Sequence, residues 1–239
     1  MIAGTTRLIG LIGDPVAGSL SPRMQNAAFA ACGLDWAYVP LPVEPSGLEP
    51  AVRGLAALGF AGANVTIPHK RAVVTFCDEV EPFAARAESV NTLVLVGGRL
   101  QGSSTDAEIL GDIAVSRAVV LGAGGAAQAV VATLEESGAE VRVFSRRGAW
   151  PPAGTGAELI VNATPVVDEA LVEPHRGQIV VDLPYRADGT PTELTAAARE
   201  AGCRVVDGLE ALVRQGAASF ERWTGVPAPV DVMRAALHP

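Results

Sequence analysis

From Arg117 the chain reads RAVVLGAGGAAQAVVATLEESGAEVRVFSRR: a β-branched apolar run, a cluster of glycines, an apolar-faced helical stretch and a second apolar run closed by two arginines. A strand, a tight glycine turn, a helix and a second strand in that order form a βαβ unit, which commits this part of the chain to an α/β sheet with parallel strands. Gly122, Gly124 and Ala127 stand at G-x-G-x-x-A spacing between strand and helix. The glycines permit the turn and let the backbone amides of Gly122, Ala123, Gly124, Gly125 and Ala126 approach an anion closely, at the favourable end of the helix dipole. A dinucleotide pyrophosphate is the anion that this arrangement suits. The acid expected about twenty residues on, which would bind a ribose 2′-hydroxyl, is missing. Ser145, Arg146 and Arg147 end the second strand instead and favour the 2′-phosphate of NADP.

A different organisation precedes this unit. Residues 8–13 read as a short strand. Ser21 is expected as an N-cap with Pro22 at the first helical position, and Gly33 ends that helix. Residues 36–43 are strand-like despite two prolines, which predicts an edge position. A helix is expected near 47–58, then a strand at 60–67. Pro68 is expected to open a further helix with His69 and Lys70 in its first turn, a cation opposed to the helix dipole just beyond the carboxyl end of a strand. Residues 90–102 predict a hairpin about Gly97-Gly98. After the βαβ unit, strands at 159–165 and 179–185 would bring Asn162, Ala163, Thr164 and Tyr185 to one crevice. A helix near 192–201, a strand at 203–206 and helices near 208–222 and 229–237 complete the chain.

Composition narrows the function. At 239 residues and 49% hydrophobic the chain is folded, and its net charge of −8 argues against nucleic acid or an anionic membrane, which require a basic surface. A small solute is the expected partner. No stretch approaches the ~18 uninterrupted apolar residues of a membrane span, and MIAGTTRLIGLIGDPVAG lacks the features of a secretory leader. The three cysteines are scattered without metal-ligand spacing, which points to reduced thiols in the cytoplasm and to no metal. Of 18 basic side chains only Lys70 is lysine. Arginine keeps its proton near neutral pH, whereas an ammonium can release one, so a solitary lysine at a strand end is a candidate for proton handling.

GDPVAGSLSP at 13–22, NVTIPHK at 64–70, SVNTL at 89–93, STDAE at 104–108 and DGLEALVRQGAASFERWTG at 207–225 together resemble the shikimate dehydrogenase family, and the likeness runs through nearly the whole chain. The resemblance implies that Ser19 and Ser21 hold a substrate carboxylate. It implies that Asn64, Thr66, Asn91, Tyr185 and Gln215 line the substrate site, and that Gly208 joins the cofactor contacts. Lys70 would be the acid/base, paired with Asp106, in the reversible reduction of 3-dehydroshikimate to shikimate by NADPH. On that reading Lys70→Met leaves folding intact and lowers turnover.

The implied architecture is an α/β substrate domain, residues 1–101 rejoined by 208–239, and a Rossmann-like NADP-binding domain at 102–207, in a monomer or homodimer. Gly18, Gln25, Ser104, Ala107 and Ala211 depart from the family pattern, and Val166-Val167 replace a Gly-Met pair. The connections from Asp106 to Gly122 and from Arg147 to Asn162 are short. The second contains Gly148, Pro151, Pro152, Gly154 and Gly156, too little for a helix and a strand, so the nucleotide domain is expected to be trimmed. Two alternatives stay open: a related dehydrogenase acting on quinate or another polyhydroxylated carboxylate, and a non-catalytic nucleotide-binding module.

Overall fold

Parallel strands need crossover connections, and the first third of the chain builds two of them. In the computed structural model, which describes residues 2–150, 152 and 156–238, strand β1 (Arg7–Gly13) lies between β2 (Trp36–Pro42) and β3 (Phe60–Val65) and is parallel to both. Helices α1 (Ser21–Ala31) and α2 (Leu48–Ala57) make the crossovers. The prolines of β2 sit at the sheet edge, where a missing N–H breaks no ladder. Every residue of β3 is buried, and Gly62 at its middle admits the Leu93 carbonyl and the Trp223 ring where any side chain would collide.

A short strand β4 (Glu79–Val80) and helix α3 (Pro82–Arg86) come next, followed by the hairpin of β5 (Thr92–Val96) and β6 (Arg99–Ser103). Its turn places Gly97 and Gly98 at φ 57 and 80, conformations that glycine adopts readily. The six strands run β2-β1-β3-β5-β6-β4, with β5 antiparallel to its neighbours.

The second sheet contains β7 (Arg117–Leu121), β8 (Glu140–Phe144), β9 (Leu159–Asn162), β10 (Ile179–Asp182) and β11 (Arg204–Val206), all parallel, in the order β11-β10-β9-β7-β8. Helix α4 (Gly125–Glu136) joins β7 to β8, and α5 (Glu193–Glu200) leads to β11. The chain leaves β7 toward β8 and later returns on the other side as β9, so the order reverses between β7 and β9. The crevice at the carboxyl ends of those two strands is where such sheets bind ligands.

Helix α6 (Gly208–Thr224), capped by the Asp207 carboxylate on Glu210 N–H at 3.1 Å, carries the chain back. Its first turns pack through Ala211 on the second sheet, and Val213, Phe220 and Trp223 pack on the first together with Met233 and Leu237 of α7 (Val230–Leu237). One helix thus belongs to both cores. No helix among the described residues is long and apolar enough to cross a membrane.

Two local expectations fail. No α-helix opens at Pro68; turns lead instead into a 3₁₀ segment, Ala72–Phe76, so Lys70 does not sit in a helix dipole. Ser21 is the first residue of α1 and not its cap; Leu20 occupies the cap position, and its side chain makes no capping bond. Helix α3 and β4 are too short to show periodicity and were not anticipated. Between β8 and β9 the described residues form no helix or strand. Pro151 and Gly154 of that connection lie outside the described residues.

Candidate active site

Lys70 lies beyond the end of β3, where its carbonyl accepts the Val90 N–H at 2.9 Å. Its neighbour His69 is buried and spent structurally, with Nε2 2.6 Å from the Val43 carbonyl. Because a carbonyl only accepts, Nε2 must carry the proton. The lysine turns the other way. Its Nζ donates to Asp106 Oδ2 at 2.7 Å, the two side chains being 14% and 3% exposed. Asn91 Nδ2 donates to Asp106 Oδ1 at 2.9 Å, so both carboxylate oxygens are held. Asp106 caps no helix; it lies inside a 3₁₀ turn, Thr105–Ile109.

Behind this pair runs a buried network of neutral groups. Asn91 Oδ1 accepts from the Thr105 N–H at 2.8 Å and from Thr92 Oγ1 at 2.9 Å. Asn64 Nδ2 donates to the Asn91 carbonyl at 2.9 Å, and Asn64 Oδ1 accepts from the Tyr38 hydroxyl at 2.8 Å. Ser219 Oγ, from α6, stands 2.8 Å from Thr92 Oγ1 and 3.0 Å from Thr105 Oγ1. Burial raises the Tyr38 phenol above its usual range, which keeps it neutral. A saturated buried network of this kind fixes its members, so the amides of Asn64 and Asn91 meet the cleft in one orientation.

Lys70, Asp106, Asn64, Asn91 and Thr66 form one wall of a cleft of about 170 Å³. Ser19, Ser21, Tyr185 and Gln215 complete it, so every residue expected at the substrate borders one space. Ser19 Oγ accepts the Ser21 N–H at 3.3 Å. Tyr185 OH accepts the Leu20 N–H at 3.3 Å and ties the loop after β10 to the serine loop. Gln215 Oε1 accepts from Asn91 Nδ2 at 3.4 Å. Ala126 and Gly208, at the starts of α4 and α6, border the same cleft.

The glycine turn after β7 is built for close approach. Gly122 has φ 116, and a Cβ there would lie 2.9 Å from the Ala163 carbonyl. The cap of α4 is Gly124, beside which a Cβ would meet nothing within 4 Å, and no side chain bonds the helix end. The first amides of α4 are therefore open to an external anion, and the turn fits a pyrophosphate. Ser145, Arg146 and Arg147 follow β8; both arginines are exposed and, among the described residues, form no ion pair.

Asn162 is fully buried and does not reach the cleft. Its amide donates to Asp182 Oδ1 at 2.8 Å, while its oxygen accepts from Thr164 N at 3.0 Å and Thr164 Oγ1 at 2.7 Å. It shapes the loop bearing Ala163 and Thr164. Asp182 is buried too; burial holds its carboxyl above the ordinary value, against hydrogen bonds from Thr192, Asn162 and Thr195. Gly208 starts α6 against the carbonyls of Leu183 and Pro184, a position only glycine fits.

Sequence reasoning missed Tyr38, Ser219 and Asp182. The chain has only two tyrosines, Tyr38 and Tyr185, and both serve the cleft. Ser219 stands one helical turn beyond Gln215, whose carbonyl it bonds at 3.0 Å. Those were the available signals.

Known proteins resemble this chain along most of its length. The family profile described as the shikimate dehydrogenase substrate binding domain matches residues 11–93, and that described as the shikimate 5′-dehydrogenase C-terminal domain matches 208–238. The shikimate dehydrogenase (NADP(+)) of Gluconobacter oxydans is 43% identical over 266 aligned positions, covering 97% of this chain and 95% of the relative. That of Moorella thermoacetica is 41% identical over 99% of this chain and 94% of its own. Both alignments are longer than the 239 residues here, so these relatives carry segments that this chain lacks. The crystal structure of shikimate 5-dehydrogenase from Thermus thermophilus, in complex with NADP(H) and shikimate, superposes with a TM-score of 0.84 at 33% identity, covering 97% of this chain and 98% of that one. With this likeness sustained along nearly its whole length, the chain belongs to the shikimate dehydrogenase family.

Proposed function

We propose that this protein is an NADP-dependent shikimate dehydrogenase, interconverting 3-dehydroshikimate and shikimate for aromatic amino-acid biosynthesis. The observation that carries the reading is the sole lysine, 2.7 Å from a nearly buried carboxylate, in a cleft that also holds two serine hydroxyls and three side-chain amides. When bound, the cofactor supplies or accepts a hydride. The protein must then place the ring, move one proton and exclude water.

Lys70 donates a proton to the substrate oxygen as it gains negative charge in reduction, and takes it back in oxidation. Asp106 holds the ammonium in place, and Asn91 holds Asp106. Ser19 and Ser21 bind the carboxylate, closed over by Tyr185. Asn64, Thr66, Asn91 and Gln215 meet the ring hydroxyls, and their fixed orientation selects for substrates that carry them. Gly122, Ala123, Gly124, Gly125 and Ala126 would hold the pyrophosphate. Arg146 and Arg147, with Ser145, would hold the 2′-phosphate, and the loop of Asn162, Ala163 and Thr164, with Gly208, would line the nicotinamide side. Residues 1–101 with 208–239 serve the substrate and 102–207 the dinucleotide. On this reading the enzyme acts in the cytoplasm on a small solute, as a monomer or homodimer, without nucleic-acid or membrane partners.

A steady-state absorbance assay with shikimate or quinate and with NADP or NAD, in all four combinations, tests this. Turnover is expected with shikimate and NADP. Preference for quinate moves the substrate assignment, and no turnover by a folded sample overturns the proposal.

A further inference from the structure

We propose that Gly125, the first residue of α4, is a positioning residue for the acid–base lysine, so that occupancy of the dinucleotide turn and the placement of Lys70 are coupled through one contact; this rests on the reading of Lys70 as the proton-handling group. A Cβ built on Gly125 would lie 2.6 Å from the Cβ of Lys70 and 3.2 Å from its Cδ. The nearer atom is fixed by the lysine backbone, so no rotamer change makes room. Either α4 or the lysine segment must move.

Ser89 closes the contact from a second side. Its Oγ lies 2.8 Å from the same built position, is fully buried and has no hydrogen-bond partner among the described residues. A buried hydroxyl without a partner is costly, and here it occupies the seam between the lysine segment and the amino end of α4. The Val90 N–H bonds the Lys70 carbonyl at 2.9 Å, which makes residues 70 and 88–90 one unit. The amino end of α4 therefore bears on the lysine segment, its first residue lying against the lysine itself.

Direction separates this role from phosphate binding. The missing side chain of Gly125 would point at Lys70 and Ser89, while the amides that meet an anion point out of the helix end. Alanine at 125 would force a shift of about 1 Å, and a misplacement of that size costs on the order of 10²-fold in rate.

The test uses the full-length enzyme. In Gly125→Ala, kcat at saturating shikimate and NADP is expected to fall on the order of 10²-fold, a larger factor than the accompanying rise in Kd for NADP. Unchanged kcat overturns the proposal, as does a loss of NADP binding that matches the loss of kcat, since the glycine would then serve the phosphates alone. A wild-type measurement covers failure of the variant to fold. Because Lys70 is the only lysine, reductive methylation with ¹³C-formaldehyde gives one side-chain NMR signal beside that of the amino terminus. Adding 2′-phospho-ADP-ribose, which fills the turn but has no nicotinamide to cover the lysine, is expected to shift that signal. A signal indifferent to the bound compound overturns the coupling. Absent wild-type turnover would instead overturn the function, so the two failures are distinct.

Discussion

Lys70→Met removes the ammonium 2.7 Å from Asp106 and leaves a carboxylate, 3% exposed, with Asn91 at 2.9 Å as its remaining side-chain donor. Breaking a buried ion pair from one side costs about 3–5 kcal/mol. Asp106 keeps the Asn91 bond and borders a cleft, so the lower end applies, about 3 kcal/mol. In a chain of this length each kcal/mol lowers the melting temperature by roughly 2–4 °C, which gives a drop of about 6–12 °C. The sequence alone suggested that this variant folds undisturbed; the buried partner changes that expectation. Asp106→Asn in the same background removes the stranded charge and still offers Asn91 an acceptor, so the double variant should melt above the single one. Turnover should stay down by a factor of about 10²–10⁴ in both, because neither has a proton donor at that atom. Thermal unfolding by circular dichroism near neutral pH, with the absorbance assay on the same samples, separates the two roles. Equal melting of single and double variants would refute the stranded-charge argument, and near-normal turnover in Lys70→Met would refute the role of the lysine.

Arg146→Ala should weaken NADP far more than NAD in a direct binding titration; equal loss for both would show that the exposed arginine does not read the 2′-phosphate. Burial raises the Asp182 carboxyl above its ordinary value of 3.8, so its protonated form suits the fold. Stability from this group is present at acid pH and lost as pH rises through the raised value. The melting temperature of Asp182→Asn relative to wild type should therefore climb from acid to neutral pH, and a flat difference would refute the assignment. Burial pushes the Cys77 thiol up to about 11. Iodoacetamide should thus label Cys77 slowly in the native protein near neutral pH and quickly after unfolding; fast native labelling would count against a buried thiol.

Much of the site was legible because its signals are local. The βαβ unit from Arg117 to Phe144 declares itself in the change of hydrophobic period around the glycines, and these set φ 116 at Gly122 and the open end of α4. Lys70 stood out as the one lysine, and NVTIPHK, SVNTL and STDAE marked its neighbours. The helix expected at Pro68 was wrong for a related reason: proline favours a first helical position only where the following residues can propagate, and here the chain turns so that His69 can bond Val43.

What no local pattern contains is the meeting of distant segments. Asn64 finds Ser219 across 155 positions, Leu20 finds Tyr185 across 165, and Gly125 at the start of α4 lies against Lys70. By itself the sequence determined the strands other than β4, the phosphate turn and the residues of the motifs around Lys70, since each follows from the propensity and spacing of a few neighbours. The tertiary structure alone decided that Asn162 faces Asp182 and not the cleft, that Tyr38 and Ser219 lock the substrate amides, and that α4 rests on the lysine. Those outcomes depend on how two sheets and the shared helix α6 dock, where close packing and the pairing of every buried polar group select one arrangement from many.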